Sequence, residues 1–436
     1  MRVLKSRDRD TIVQALRAGV VPKVGLRHIQ VGRAREIEEM LLDVQRISEG
    51  GATIRFVIGD YGSGKTFFMN LVRLIALEKG LVVMFADLAP ERRLYATGGQ
   101  ARGLYAEMAR NLSTRTRPDG GAMASVVERF AGQTAQDAEN RGLPVGIVIR
   151  ERLESFEELT GGFEFAEVVR RYWEGHETGD DETTTAALRW LRGEYVTRTD
   201  ARKALGVRGI VDDSSVYDHL KLMSKFVRTA GYKGLLVGLD EMVNLFKLTS
   251  SQARNANYEQ ILRIVNDVFQ GSASHIGFIM GGTPEFLMNT RRGLYSYEAL
   301  QSRLAENRFA RDGLVDLSGP VLRLATLTPE EMFVLLSNVR SVMQPEDPLP
   351  DEALTAFMAH CSNRIGEAYF RTPRNTVGAF VKLLGMLPQN PGTAWHDLLE
   401  RVDIDADHES GPGGSSKIGD GPENQPNDDG LTSFKL

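Results

Sequence analysis

Apolar positions along the chain follow two spacings, and the alternation between them predicts the layout. Short unbroken apolar runs suit strands covered on both faces. They occur at Thr53–Ile58, Leu81–Ala86, Leu235–Leu239, His275–Met280 and Val321–Leu324. Elsewhere apolar residues recur every three to four positions, which is helical spacing. Helices are expected at Thr11–Ala18, Val31–Ile47, Phe67–Lys79, Leu104–Leu112 and Asp218–Ala230, with breaks at Gly19–Pro22, Gly80 and Gly231–Gly234. Residues 113–181 are helical but interrupted by Gly and Pro, as in an insertion made of several short helices. Thr328-Pro329-Glu330-Glu331 is a strong helix start, with a capping residue, Pro at the first position and acids in the first turn. A mainly helical bundle is expected over 328–400. From about Asp405 onward the chain is rich in Gly, Pro, Ser and Asp without periodicity, and disorder is expected there. The fold class is therefore α/β: a mainly parallel sheet between helices, a helical insertion at about 113–230 and a C-terminal helical lid. The expected units are a helical lead-in (1–50), a core (51–327), a lid (328–403) and an acidic tail (404–436).

Composition narrows this only slightly. With 436 residues, 42% hydrophobic and 25% charged, the chain is in the ordinary globular range. No apolar run approaches the ~18 residues that span a bilayer, and the charged start (Arg2, Lys5, Arg7) lacks an apolar signal core. Cytoplasm is the expectation, without a membrane partner. A single cysteine, Cys361, excludes an intrachain disulfide framework and a multi-cysteine zinc site. From Ile404 to Leu436, seven acidic residues stand against two lysines, so this tail carries the whole formal charge of −5. The acidic balance thus says nothing against a local basic surface on the body.

The first candidate chemistry lies directly after the first predicted strand. Gly59-Asp60-Tyr61-Gly62-Ser63-Gly64-Lys65-Thr66 matches Gly-x-x-x-x-Gly-Lys-Thr, and Phe67 opens a predicted helix. Strand, loop and helix in that order are what a phosphate-binding loop requires, because the loop wraps the phosphate at a helix N-terminus. The glycines let the backbone turn its N–H groups inward. Lys65 would meet the β- and γ-phosphates, and the Thr66 hydroxyl would join a Mg²⁺ shell. A chance match is expected in roughly a few per cent of chains this long, and the flanking elements make it rarer still. The expected ligand is ATP with Mg²⁺.

Leu235–Leu239 ends in Asp240-Glu241, an apolar strand delivering two acids. Asp240 would hold the metal's hydration shell and Glu241 would orient and deprotonate the attacking water. The next strand ends in Gly281-Gly282-Thr283-Pro284-Glu285, where Thr283 is the candidate γ-phosphate sensor; Asn289 and Thr290 lie further off, and a plain polar strand end is the bland alternative. Arg291–Ala305 is expected to form one helix with Arg303 about two turns beyond Tyr295. Arg303, and after it Arg308, are candidates for an arginine acting on a neighbour's γ-phosphate, worth roughly 10³–10⁵ in rate; a solvated surface arginine is the alternative for either. In Tyr369-Phe-Arg371-Thr-Pro-Arg374-Asn, Arg374 is preferred over Arg371 as the lid arginine. Val20, Val21 and Pro22 are candidate apolar contacts for the base, and Arg33 opens the helix before the loop.

One further stretch stands apart. Thr199-Asp-Ala-Arg-Lys-Ala-Leu-Gly206 is similar to the first helix and turn of a helix-turn-helix, with Arg198, Arg202, Lys203 and Arg208 supplying positive charge. No recognition helix clearly follows, so a solvated amphipathic helix is the competing reading.

Val31-Gly32-Arg33, the Gly59–Phe68 loop, Asp87-Leu88, Asp240-Glu241, Met280–Glu285 and Arg371–Arg374 together resemble the BREX-type ATP-binding family (BrxC- and BrxD-like), from about residue 10 to 400. The resemblance implies an AAA+-like P-loop αβα core and ATP-driven action on DNA, double-stranded for preference, in a phage-defence complex. It also implies a helicase or other defence protein as partner. AAA+ sites are completed between subunits, so a homo-oligomer is expected. Two rivals stay open: a STAND- or loader-like switch that assembles with little turnover, and a protein-remodelling ATPase with no nucleic-acid role.

Overall fold

A computed structural model describes residues 4–307, 316–344, 346 and 348–401. Five strands form one all-parallel sheet: β1 (Ala52–Ile58), β2 (Val82–Asp87), β3 (Leu235–Asp240), β4 (Ile276–Gly282) and β5 (Val321–Arg323), in spatial order β2-β3-β4-β1-β5. All five predicted strands are present, within one or two residues of their expected ends. β4 therefore lies between the strand that feeds the glycine loop and the strand that ends in Asp240.

Alternation along the strands sends side chains to two layers. Val57, Val83, Leu236 and Ile279 face α2 (Ala34–Ser48) and α3 (Lys65–Glu78), where they meet Met40, Val44, Phe68 and Val72. Ile54, Phe56, Met84, Val237 and Phe278 face the opposite layer. That layer holds α4 (Gln100–Arg110) and, between β2 and β3, the helices of the insertion: α5 (Met123–Arg141), α6 (Val145–Glu154), α7 (Gly162–Thr178), α8 (Asp181–Leu191), α9 (Arg198–Leu205) and α10 (Val216–Thr229). After β3 come a short turn of helix, α11 (Val243–Phe246), and α12 (Ser251–Phe269), which packs on the same layer. Residues 113–181 thus share the core of the sheet, with Phe130, Phe156 and Phe165 fully buried.

One strand residue breaks the apolar pattern. Arg55 of β1 is buried and donates through Nε to Asp43 Oδ2 at 2.5 Å and through Nη2 to Asp43 Oδ1 at 3.1 Å. It also donates to the carbonyls of Leu317 (2.7 Å) and Gly319, pinning α2 and the segment before β5 to the central strand.

Beyond β4 the expected single helix over Arg291–Ala305 is broken. The chain forms α13 (Pro284–Met288), a tight turn at Leu294–Ser296, and α14 (Glu298–Leu304). At Gly293 the backbone is extended, and the turn packs so closely on α13 that a Cβ there would lie 2.7 Å from the carbonyls of Glu285 and Phe286.

A second core is built by α15 (Pro329–Met343), α16 (Asp351–Ile365), α17 (Ala368–Arg371), α18 (Pro373–Met386) and α19 (Trp395–Leu399). Thr328, the expected cap, forms a reciprocal capping box with Glu331 at its start. Its residues include Leu336, Phe357, Phe380 and Cys361, whose thiol is pushed up to about 12 by burial. The first helix, α1 (Ser6–Arg17), inserts Ile12 into this second core and packs along α18, whereas α2 packs on the sheet. The expected 1–50 lead-in thus serves both bodies. The acidic tail lies outside the described residues, as does Arg308.

Candidate nucleotide site

The loop after β1 has the backbone its glycines suggested. Gly62 and Gly64 have φ of 74° and 84°, left-handed values that favour glycine. At Gly59 a Cβ would come within 2.6 Å of Ser63 Oγ. No side chain caps the N-terminus of α3, so its first N–H groups keep no partner of that kind. Lys65 Nζ lies back over the loop, donating to the carbonyls of Gly59 at 2.8 Å and Asp60 at 2.7 Å. Burial holds its pKa below the usual lysine range, against the raising effect of Asp240, Glu241 and Asp60. Free amides, a positive end of a helix dipole and a partly desolvated ammonium make a fitting cradle for a polyphosphate.

The acidic edge sits opposite. Thr66 Oγ1 donates to Asp240 Oδ2 at 2.7 Å, across 174 positions of sequence. Asp240 is buried, and its Oδ1 accepts from the Glu241 N–H at 2.8 Å. Glu241 stands at φ 56°, a left-handed conformation rare outside glycine. Its pKa is raised, first by burial and then by Asp240 and Asp87. Asp87 pairs in register with Asp240 on the neighbouring strand, and its carboxyl is raised in turn by burial and by Asp240. Three acids therefore gather at the ends of β2 and β3. Gly281 of β4 makes room for them, since a Cβ there would fall 2.3 Å from Asp240 Oδ1.

The far wall comes from elsewhere in the chain. Val21 and Pro22, from the loop after α1, line a cavity of about 250 Å³ together with Tyr61–Phe67, Asp240, Glu241 and Thr283. Leu327, Leu335, Pro373, Arg374 and Val377 close it from the second core. Arg33 also lines it. It caps α2 at φ 61°, and its guanidinium donates to the carbonyls of Ser63 and, at 3.3 Å, of Gly64. Burial lowers its pKa, and Glu36 and Glu331 oppose that.

Most of the expected residues are therefore brought together. Gly59 and Asp60 offer carbonyls to Lys65, while Tyr61 to Phe67 face the cavity. Thr283 is buried on the cavity wall, and its hydroxyl caps α13 by accepting from the Phe286 N–H at 3.4 Å. Arg374 lines the cavity, with its side chain about 3.7 Å from where a Cβ at Gly19 would be. Arg371 is not on the wall; it pairs with Glu367 at 2.5 Å. Arg303 is not there either. It is exposed and donates to the Ala299 carbonyl at 2.9 Å.

Four features escaped the sequence reading. They are the role of Gly281, the grouping of Asp87 with Asp240, the lid residues Leu327, Leu335 and Val377, and the Arg33 grip on the glycine loop. For Asp87 the signal was present: an acid ending a strand, as Asp240 does.

A parallel sheet with one strand between the loop-bearing and acid-bearing strands, with this cavity at their carboxyl ends, defines a P-loop nucleotide-binding protein. A family model described as "BREX system ATP-binding protein BrxC/D" matches residues 4–403, so the chain belongs to that family. It is an ATP-binding protein of a BREX phage-defence system. No curated protein matches the chain significantly. Among the described residues no helix is long and apolar enough to cross a membrane.

Proposed function

We propose that the protein hydrolyses ATP and couples that turnover to duplex DNA within a defence assembly. The observation that carries the hydrolytic part is the Thr66–Asp240 contact of 2.7 Å with Glu241 next in sequence and held at a positive φ. Thr66 and Asp240 are two oxygen ligands that suit Mg²⁺, with the nucleotide's phosphates and water completing the shell. Bound there, Mg²⁺ would neutralise charge on the phosphates.

Lys65 exchanges its two loop carbonyls for phosphate oxygens, gaining charge-assisted bonds for neutral ones. Glu241, with its carboxyl raised by burial and by neighbouring acids, takes the proton of the attacking water. Arg374 supplies positive charge from the lid side, and Thr283 is the γ-phosphate sensor. Arg303 faces solvent, which is compatible with action on a neighbouring subunit's nucleotide and so with a homo-oligomer. Family membership supports partners within a BREX complex; a helicase among them, and the action on DNA, are what the family resemblance implies.

ATP turnover with no DNA, single-stranded DNA or duplex DNA, at low and moderate salt, tests this. Glu241→Gln should bind ATP and lose turnover by roughly 10²–10⁴. Duplex DNA should raise the wild-type rate, and the effect should fade with salt. If turnover is negligible and nucleotide drives assembly instead, the partner-recruiting switch replaces this reading. Stimulation by a protein partner and none by DNA would make it a protein-remodelling ATPase.

A further inference from the structure

We propose that the solvent face of α9, continued by Arg208, binds the phosphate backbone of duplex DNA; this rests on the DNA-acting reading above. At 100° per residue, Arg198, Arg202, Thr199 and Lys203 follow one another round an arc of about 140°, flanked on the Arg198 side by the buried Ala201 and Leu205. All four arc residues are exposed, as is Arg208 two residues past the Gly206 cap. Asp200 lies outside the arc and is turned back to the Thr197 hydroxyl at 2.7 Å.

Two observations separate this face from an ordinary solvated helix. The first is pairing. Of the seven arginines on α5 to α8, Arg141, Arg152, Arg170, Arg171 and Arg189 reach a carboxylate within 4 Å; Arg129 donates to the carbonyls of Ala230 and Gly231 instead, and the exposed Arg150 forms no ion pair among the described residues. Arg198 pairs with Asp212 at 3.1 Å, but among the described residues Arg202, Lys203 and Arg208 form no ion pair. The second is rigidity. The buried Trp190 at the end of α8 donates to the Gly209 carbonyl at 2.8 Å, and Tyr105 donates to the Leu191 carbonyl at 3.0 Å. Asp213 caps α4 through the N–H groups of Gly99 (2.7 Å) and Arg102 (2.9 Å). The ridge is thus fastened to the helix that follows β2, the strand carrying Asp87 to the nucleotide.

Two unpaired cations and a hydroxyl on a fixed helix, with Arg208 just past its cap, match the groups that position proteins on phosphates. An acidic protein fits less well, because protein interfaces need an apolar centre. Val196, 68% exposed, is the large apolar side chain that precedes α9 in the chain, and the Glu164 side chain lies about 3.1 Å from where a Cβ at Gly209 would be.

The test is anisotropy of a labelled duplex of about 30 base pairs across a salt series. It compares wild type, Arg202→Glu/Lys203→Glu/Arg208→Glu, and a control of equal charge change at exposed arginines off this face, Arg115→Glu/Arg117→Glu/Arg150→Glu. The α9 variant should bind at least about tenfold more weakly and flatten the slope of log affinity against log salt by about 2–3. ATP affinity and melting temperature should be unchanged, and the control should bind like wild type. Equal binding by the α9 variant, or equal loss in the control, overturns the proposal while leaving the DNA reading in place. A wild type that ignores duplex DNA overturns both. Poly-glutamate serves as an acidic polypeptide probe: if the variant loses that ligand but keeps DNA, the face belongs to a protein partner and the proposal fails.

Discussion

The two ends of the nucleotide cavity are built on different principles. At the phosphate end, eight consecutive residues and one strand terminus do nearly everything: Gly59 to Thr66 supply the cradle, and Asp240 meets Thr66 at 2.7 Å. Positive-φ glycines and an uncapped helix start fix that geometry locally. At the base end, no short segment suffices. Val21 and Pro22 face Leu335, Arg374 and Val377 because α1 packs on α18 and sinks Ile12 into the second core. The phosphate end is therefore set by backbone chemistry, and the base end by how the second core docks. Binding energy at the two ends should be separable.

Lys65→Ala is the sharpest way to break the comparison. Losing charge-assisted bonds to phosphate should weaken ATP and inorganic tripolyphosphate alike, by roughly 10–100-fold, in a competition assay. If only ATP weakens, the phosphate end is not independent of the base end.

Leu335→Ala tests the other side, with a smaller effect. Removing buried methyl groups at about 0.8 kcal/mol each should weaken ATP by about threefold to tenfold. Tripolyphosphate affinity should stay as in wild type. Equal losses for both ligands would mean that Leu335 shapes the glycine loop through the lid.

Acidity sharpens the picture of the acidic edge that carries Glu241. Because Glu241 is raised by burial, Asp240 and Asp87, it becomes protonated at a higher pH than the ordinary carboxylate value of about 4.3. Turnover should fall on the acid side above that value. An acid limb at or below the ordinary value would remove Glu241 from the role of base.

The smallest effect belongs to a stability term far from the cavity. His219 is buried between the Tyr105 and Trp190 rings, and burial lowers its pKa from 6.5 despite Asp218, Asp212 and Glu164. The folded protein then binds fewer protons than the unfolded chain, so stability should drop as pH falls below about 6.5. His219→Phe should flatten that part of the melting-temperature profile. A slope unchanged by this substitution would exclude His219 as its source.

Legibility followed the same division as the cavity. The loop, Asp240-Glu241 and the Thr328 cap could be read because each is a contiguous pattern with one local solution. The single helix expected over 291–305 failed at Gly293, where three carbonyls crowd the space a Cβ would need. That crowding depends on the fold of α13, which spacing does not reveal. Arg55 was hidden inside an apolar strand, and its burial is made tolerable by Asp43 of α2 and the carbonyls of Leu317 and Gly319, all distant in sequence.

The sequence by itself determined the five strands, the order of the phosphate-binding parts and the identity of the acids. Periodicity and glycine conformations act over a few residues and need no partner. Tertiary structure alone decided that Gly281 admits Asp240 and that α1 joins the C-terminal helices. Each is a choice of neighbour across scores to hundreds of residues. It is settled by which apolar faces and buried charges can all be satisfied at once.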